Sequence, residues 1–156
     1  MQTAKFDTAS AAYRAILAGN SRFTLVSRAT GARYTFKVSA AKNRDNRANG
    51  KLWFVSLLTG PNNEADFTYL GVLREGWGAE GVKFGLTAKS RATPDSAPVK
   101  AIGWAIHAIY DRGEIPPTLE IWHEGRCCRC GRTLTVPESI ATGLGPECAQ
   151  HHAAAA

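Results

Sequence analysis

The 156-residue chain reads as an α+β protein: an antiparallel sheet of about five strands flanked by two helices, with a small cysteine-bearing module at the C-terminus. Three observations predict this. Between residues 22 and 86, polar and apolar residues alternate in short runs broken by Gly, Asn and Pro, the period of half-buried strands. Residues 8–18 and 96–112 instead space apolar residues three and four apart, the period of a helix with one buried stripe. All four cysteines fall within residues 127–148, and the first 126 residues contain none.

Asp7 or Thr8 caps a first helix to about Ala18, with Ala9, Ala12 and Ile16 on one face and Gly19-Asn20 as its stop. Arg22–Arg28 follows as a strand with Phe23 and Leu25 inward. Ala29-Thr30-Gly31 turns the chain into Arg33–Ser39, with Tyr34, Phe36 and Val38 inward and Arg33, Thr35 and Lys37 outward. Residues 41–50 form a polar, basic loop. Lys51–Thr59 and Ala65–Leu73 are strands joined by Gly60-Pro61-Asn62-Asn63, and Val82–Leu86 is a fifth. Gly76-Trp77-Gly78-Ala79-Glu80-Gly81 has the G-x-G-x-x-G spacing of a dinucleotide loop. That loop must open a helix, and here a strand pattern follows, so a hairpin loop is expected. Ser96 caps a second helix to about Arg112, with Val99, Ile102, Ile106, Ile109 and Tyr110 as its buried stripe. Gly113 and Pro116-Pro117 end it. Leu119–Trp122 is a short strand leading into the cysteine segment. These readings divide the chain into an α+β domain over 1–118 and a C-terminal module over 119–156.

Charge is uneven along the chain. Residues 1–60 carry ten Lys or Arg against two acidic residues, whereas residues 61–125 carry six against nine. A basic segment of this kind points to a polyanionic partner, nucleic acid, for the N-terminal part. The candidate contacts are Arg22, Arg28, Arg33 and Lys37 on the polar side of the first hairpin, followed by Lys42, Arg44, Arg47 and Lys51 in and beside the next loop. Trp53, Phe54, Phe67 and Tyr69 occupy strand positions, where most are expected in the core and one or two on an open face able to stack on bases. No apolar run is long enough to span a bilayer and no signal-peptide pattern opens the chain, so a cytoplasmic protein with no membrane partner is expected.

Cys127-x-x-Cys130-Gly131 has the form of a zinc knuckle. Two intervening residues let both sulfurs meet one metal, and the glycine allows the tight turn that aims backbone N–H groups at sulfur. Cys148 supplies a third thiolate, two residues after Pro146 at the start of an expected helix. Cys128-x-Cys130 is too short to be the better pair, so Cys128 points away from the metal and its replacement by serine is expected to be neutral. The fourth ligand is His123, four residues before Cys127, or His151, three residues after Cys148. Such a site is closed and structural. No serine elbow, carboxylate pair or deaminase motif accompanies it, so the chain is not expected to be an enzyme or to take a small-molecule substrate.

Residues 123–149, with Cys127-Cys128-Arg129-Cys130-Gly131-Arg132-Thr133-Leu134-Thr135-Val136-Pro137-Glu138-Ser139 and Gly143-Leu144-Gly145-Pro146-Glu147-Cys148, resemble an uncharacterised small cysteine-motif domain. That domain is found mainly in bacteriophage and prophage proteins, with the pattern C-x-x-C-G-R-x-L-T-x-P-x-S followed by G-x-G-P-x-C. A small residue often stands there at the position of Cys128, which implies Cys127, Cys130 and Cys148 as ligands. A histidine after the last cysteine is not required, which tips the fourth ligand toward His123. The resemblance implies a phage protein acting in the host cytoplasm, not a reaction. The functional expectation is an accessory protein that binds nucleic acid through a basic sheet face and loop, with structural zinc. The alternative is an inhibitor of a host defence protein such as a nuclease, of the anti-CRISPR type.

Overall fold

The computed structural model describes residues 4–41, 52–62, 65–75, 81–134 and 137–145. They form an α+β fold in which one antiparallel sheet carries short helices against its apolar face. Chain order is β1 (Ala4–Lys5), α1 (Ala9–Ile16), β2 (Asn20–Ser27), β3 (Arg33–Ala40), β4 (Leu52–Leu58), β5 (Phe67–Glu75), β6 (Val82–Gly85), α2 (Ala97–Ile106), β7 (Leu119–His123) and α3 (Pro137–Thr142). The Thr8 hydroxyl caps α1 by accepting from the Ala11 N–H at 3.1 Å. Ser96 holds the corresponding position before α2, but its hydroxyl makes no capping bond. The second helix also changes pitch earlier than expected. It is α-helical to Ile106 and then widens into a π turn over His107–Asp111. There the Asp111 carboxylate is bonded to the His107 ring and to the Lys83 ammonium, which ties the turn to β6.

The strand order is β1-β7-β2-β3-β4-β5-β6, six full strands and a two-residue edge strand. Expecting about five undercounts it. Leu119–His123 does not merely lead into the cysteine segment. It pairs with β2 over five register positions, from Phe23 opposite His123 to Ser27 opposite Leu119. The physical reason is that β2 would otherwise present a long row of unpaired N–H and C=O groups, which β7 satisfies on one side while β1 covers its far edge. The burial of Leu119, Ile121 and His123 alternating with half-buried Glu120 and Trp122 is that of a strand with one face on the core.

The core lies between the sheet and helices α1 and α2. Phe23, Leu25, Phe36, Val38, Val55 and Ile121 from the sheet meet Ile16 from α1 and Ile102 and Ile106 from α2. Trp53 belongs there as well, and its indole N–H donates to the Leu17 carbonyl at 3.2 Å. Cys127, Cys128, Leu134 and Leu144 extend the same cluster into the C-terminal segment. Among the described residues, no helix is long and apolar enough to cross a membrane.

Between Val55 and Ser56 the register of β4 on β5 shifts, with Val55 opposite Gly71 and Ser56 opposite Tyr69. Gly71 then runs so close to β6 that an added Cβ would meet the Gly85 carbonyl at 2.5 Å. Gly103, inside α2, has open space at the same position. Gly71→Ala should therefore cost about 1–3 kcal/mol in urea unfolding, as overpacked sites do. Gly103→Ala should be neutral or stabilise by up to about 1 kcal/mol through its helix propensity. Equal effects would contradict the close approach of β5 and β6.

Candidate metal site and nucleic-acid interface

The chain leaves β7 at His123 and turns through Gly125 (φ 78) into the cysteine segment. An isolated bridge between Arg126 and Thr133 closes a small loop around Cys127–Arg132, with the Cys127 N–H bonded to the Arg132 carbonyl at 2.8 Å. Gly131 (φ 81) takes the left-handed conformation that the tight turn needs, and its N–H returns to the Cys127 carbonyl. This turn aims donors at sulfur. The Cys127 Sγ accepts from the N–H of Arg129 at 3.5 Å and of Gly145 at 3.3 Å. Burial alone raises the Cys127 thiol. The backbone N–H groups of Gly145, Cys130 and Arg129 and the neighbouring Cys130 thiol outweigh it and bring the pKa down to about 7. Donors preset around a sulfur held partly as thiolate fit what a thiolate-binding cation requires of its ligand.

Cys128 has the opposite environment. It is buried in the core, and that burial, with the adjacent Cys127, pushes its thiol up to about 12. Two neighbouring cysteines are thus divided into a stabilised sulfur and an inert core side chain. Cys130 is exposed at the far end of the turn. Cys148 and His151 lie outside the described residues, and among the described residues no three His, Cys, Asp or Glu side chains converge in a way that would hold a metal.

His123 is placed differently from a free ligand. Its ring is buried against Phe6, with centroids 5.0 Å apart. Nδ1 accepts from the Gly125 N–H at 2.9 Å, and Nε2–H donates to the Ile140 carbonyl. Both nitrogens are therefore engaged by backbone, and the ring ties the end of β7 to α3.

The second candidate surface is the sheet face opposite the core. Register places Arg22 opposite Lys37, Lys37 opposite Ser56 and Ser56 opposite Tyr69, a row across four strands. The Phe67 ring lies 5.7 Å from the Arg22 guanidinium and 5.9 Å from the Lys37 ammonium. Phe54, 43% exposed, stands edge-on to Tyr69 at 6.4 Å. Like charges directly opposite on neighbouring strands cost stability, here offset by Phe67 and by Glu124, which lies 4.0 Å from Arg22. Arg33 begins β3 and Arg28 follows β2, both exposed. Lys42, Arg44, Arg47 and Lys51 lie outside the described residues. Trp122 joins this face opposite Thr24. Sequence reasoning missed it because 119–122 was not placed in the sheet, although alternation with Leu119 and Ile121 carries the signal. Also missed was the meeting of the two surfaces: Arg22, Arg126, Glu124 and Cys127 line one recess of about 40 Å³.

Residues 120–153 match a family of unknown function (DUF6011), a segment that takes in β7 and the cysteines but not the basic hairpin. No curated protein and no solved structure matches the chain.

Two outcomes follow from this geometry. Because Cys128 fills core space, Cys128→Ser should cost about 1–3 kcal/mol by burying a hydroxyl, contrary to the neutral change expected from sequence, while Cys128→Val should cost less. Chemical denaturation of the two variants checks this. Burial holds the His123 pKa below its ordinary 6.5, only partly offset by the bond to Ile140. Below about pH 6.5 the unfolded chain takes up a proton that the folded protein refuses, so stability falls as the pH drops through that window and levels off below the folded value. Comparing the pH dependence of unfolding with that of His123→Gln isolates the contribution. Identical profiles would contradict it.

Proposed function

We propose that the protein binds single-stranded nucleic acid on the open face of its sheet and that a zinc ion holds the adjoining cysteine segment in shape. The observation that carries the first part is the Arg22–Lys37 pair around Phe67, bordered by Tyr69 and Phe54. Cations beside half-buried Phe67 and Tyr69 and exposed Phe54 suit a strand whose phosphates and base faces are both accessible. The zinc would be held by the Cys127, Cys130 and Cys148 thiolates. With both His123 nitrogens bonded to backbone, His151 becomes the better fourth ligand, and His123 positions the segment instead. A phage accessory role is in keeping with the cysteine motif.

Titration of a labelled single strand should give affinity falling with salt at a log–log slope near about −3 if Arg22, Arg28, Arg33 and Lys37 each meet a phosphate. Arg33→Gln with Lys37→Gln should flatten the slope by about 1.4 units. Phe54→Ala should weaken binding by about 1–3 kcal/mol and leave the slope unchanged, because stacking releases no counterions. Absence of binding to any single strand at low salt would overturn this reading in favour of a host-protein partner. For the metal, protein purified without added zinc should hold about one equivalent. Cys130→Ser and His151→Ala should lose it and His123→Gln should keep it. Loss of zinc on replacing His123 alone would restore that histidine as ligand.

A further inference from the structure

On the core side of the sheet, away from the basic face, a groove of about 400 Å³ opens between the first turns of α2 and the β2–β3 hairpin. Its size falls within the range of small-molecule sites. Leu25 and Leu119, both buried, line it on the sheet side together with half-buried Tyr34. On the helix side, Ala97 and Ala101 are too small to fill the space that the larger residues of the α2 stripe fill elsewhere, and Trp104 stands beside them 43% exposed. Lys100 is exposed, and among the described residues lining the groove it is the one that carries a charge. A large exposed indole next to small residues, over an apolar floor, leaves apolar surface uncovered that a globular chain ordinarily buries.

We propose that this groove binds a medium-sized apolar molecule bearing one negative charge, an aromatic or acyl anion, with its apolar body between Trp104 and Tyr34 and its charge at Lys100. The charge is argued from complementarity: an anion gains an ion pair with the Lys100 ammonium at the groove, a neutral ligand gains none, and a cationic one is repelled. The site is separate from the nucleic-acid reading, since the groove opens on the core side of the sheet and Arg22 and Lys37 lie on the other.

The test uses the full chain and two fluorescent probes of similar shape, the anion 8-anilinonaphthalene-1-sulfonate and the neutral N-phenyl-1-naphthylamine. The anion should bind saturably at one per folded chain and quench tryptophan emission, a signal that Trp104→Phe reduces. Lys100→Glu should weaken the anion by about fivefold, the scale of an exposed ion pair, and leave the neutral probe within about twofold. Ala101→Phe, which fills the groove, should weaken both by at least about tenfold. Should that variant unfold, Trp104→Ala takes its place and should weaken both probes. Non-saturable anion binding, or unchanged affinity in a folded Ala101→Phe or Trp104→Ala protein, overturns the site. Equal loss of both probes on Lys100→Glu overturns the preference for an anion.

Discussion

Five consecutive register positions hold β7 against β2, from Phe23 opposite His123 to Ser27 opposite Leu119, and the placement of both candidate sites depends on them. The pairing satisfies the backbone of β2 on its open side and delivers the chain at His123 to the end of the sheet where Arg22 lies. From there Gly125 turns it, and the cysteine loop lands with Cys127 and Cys128 in the sheet's own core cluster. The His123 ring then spans from the Gly125 N–H to the Ile140 carbonyl, fixing the returning helix. Without this strand the cysteine loop would be tethered at the end of α2, and Arg22 would not share a recess with Cys127.

The cysteine loop illustrates how backbone direction, more than residue type, decides chemistry. Cys127 and Cys128 are adjacent and both buried, yet one thiol is brought down to about 7 and the other pushed up to about 12. The difference lies in burial and in the number of donors. The turn over Cys127–Gly131 and the return of the chain at Gly145 aim several donors at the Cys127 sulfur and outweigh its burial, whereas deeper burial dominates at Cys128 over one backbone donor from Arg22. On the opposite sheet face side chains play the corresponding part, where the Phe67 ring accepts the two cations that the strand register forces together.

Much of this was legible in the sequence. Strand alternation put Phe23, Leu25, Phe36 and Val38 inward and Arg22 and Lys37 outward, because a half-buried strand has a strict period of two. The C-x-x-C-G spacing announced the tight turn at Gly131, and the shortness of C-x-C set Cys128 apart. Other features required contacts between residues distant in sequence. Nothing local tells that 119–123 pairs with residues a hundred positions earlier, so the sheet was read one full strand short and Trp122 was left off its face. That the His123 ring is engaged by backbone depends on the carbonyl of Ile140, which no spacing rule supplies. The groove beside Trp104 arises from Ala97 and Ala101 meeting a hairpin end, and helix periodicity alone reads those alanines as ordinary neighbours of the buried stripe.

The claim that the aromatic and basic sheet face is the binding surface is tested most directly by photo-crosslinking. A single strand carrying 5-iodouracil or 4-thiouracil would be irradiated with the full chain, and the adducts located by mass spectrometry. The account predicts crosslinks at Phe54, Phe67, Tyr69 or Trp122, suppressed by excess unlabelled single strand and by high salt. Crosslinks confined to α2 or to the groove beside Trp104, with none on those four residues, would contradict it.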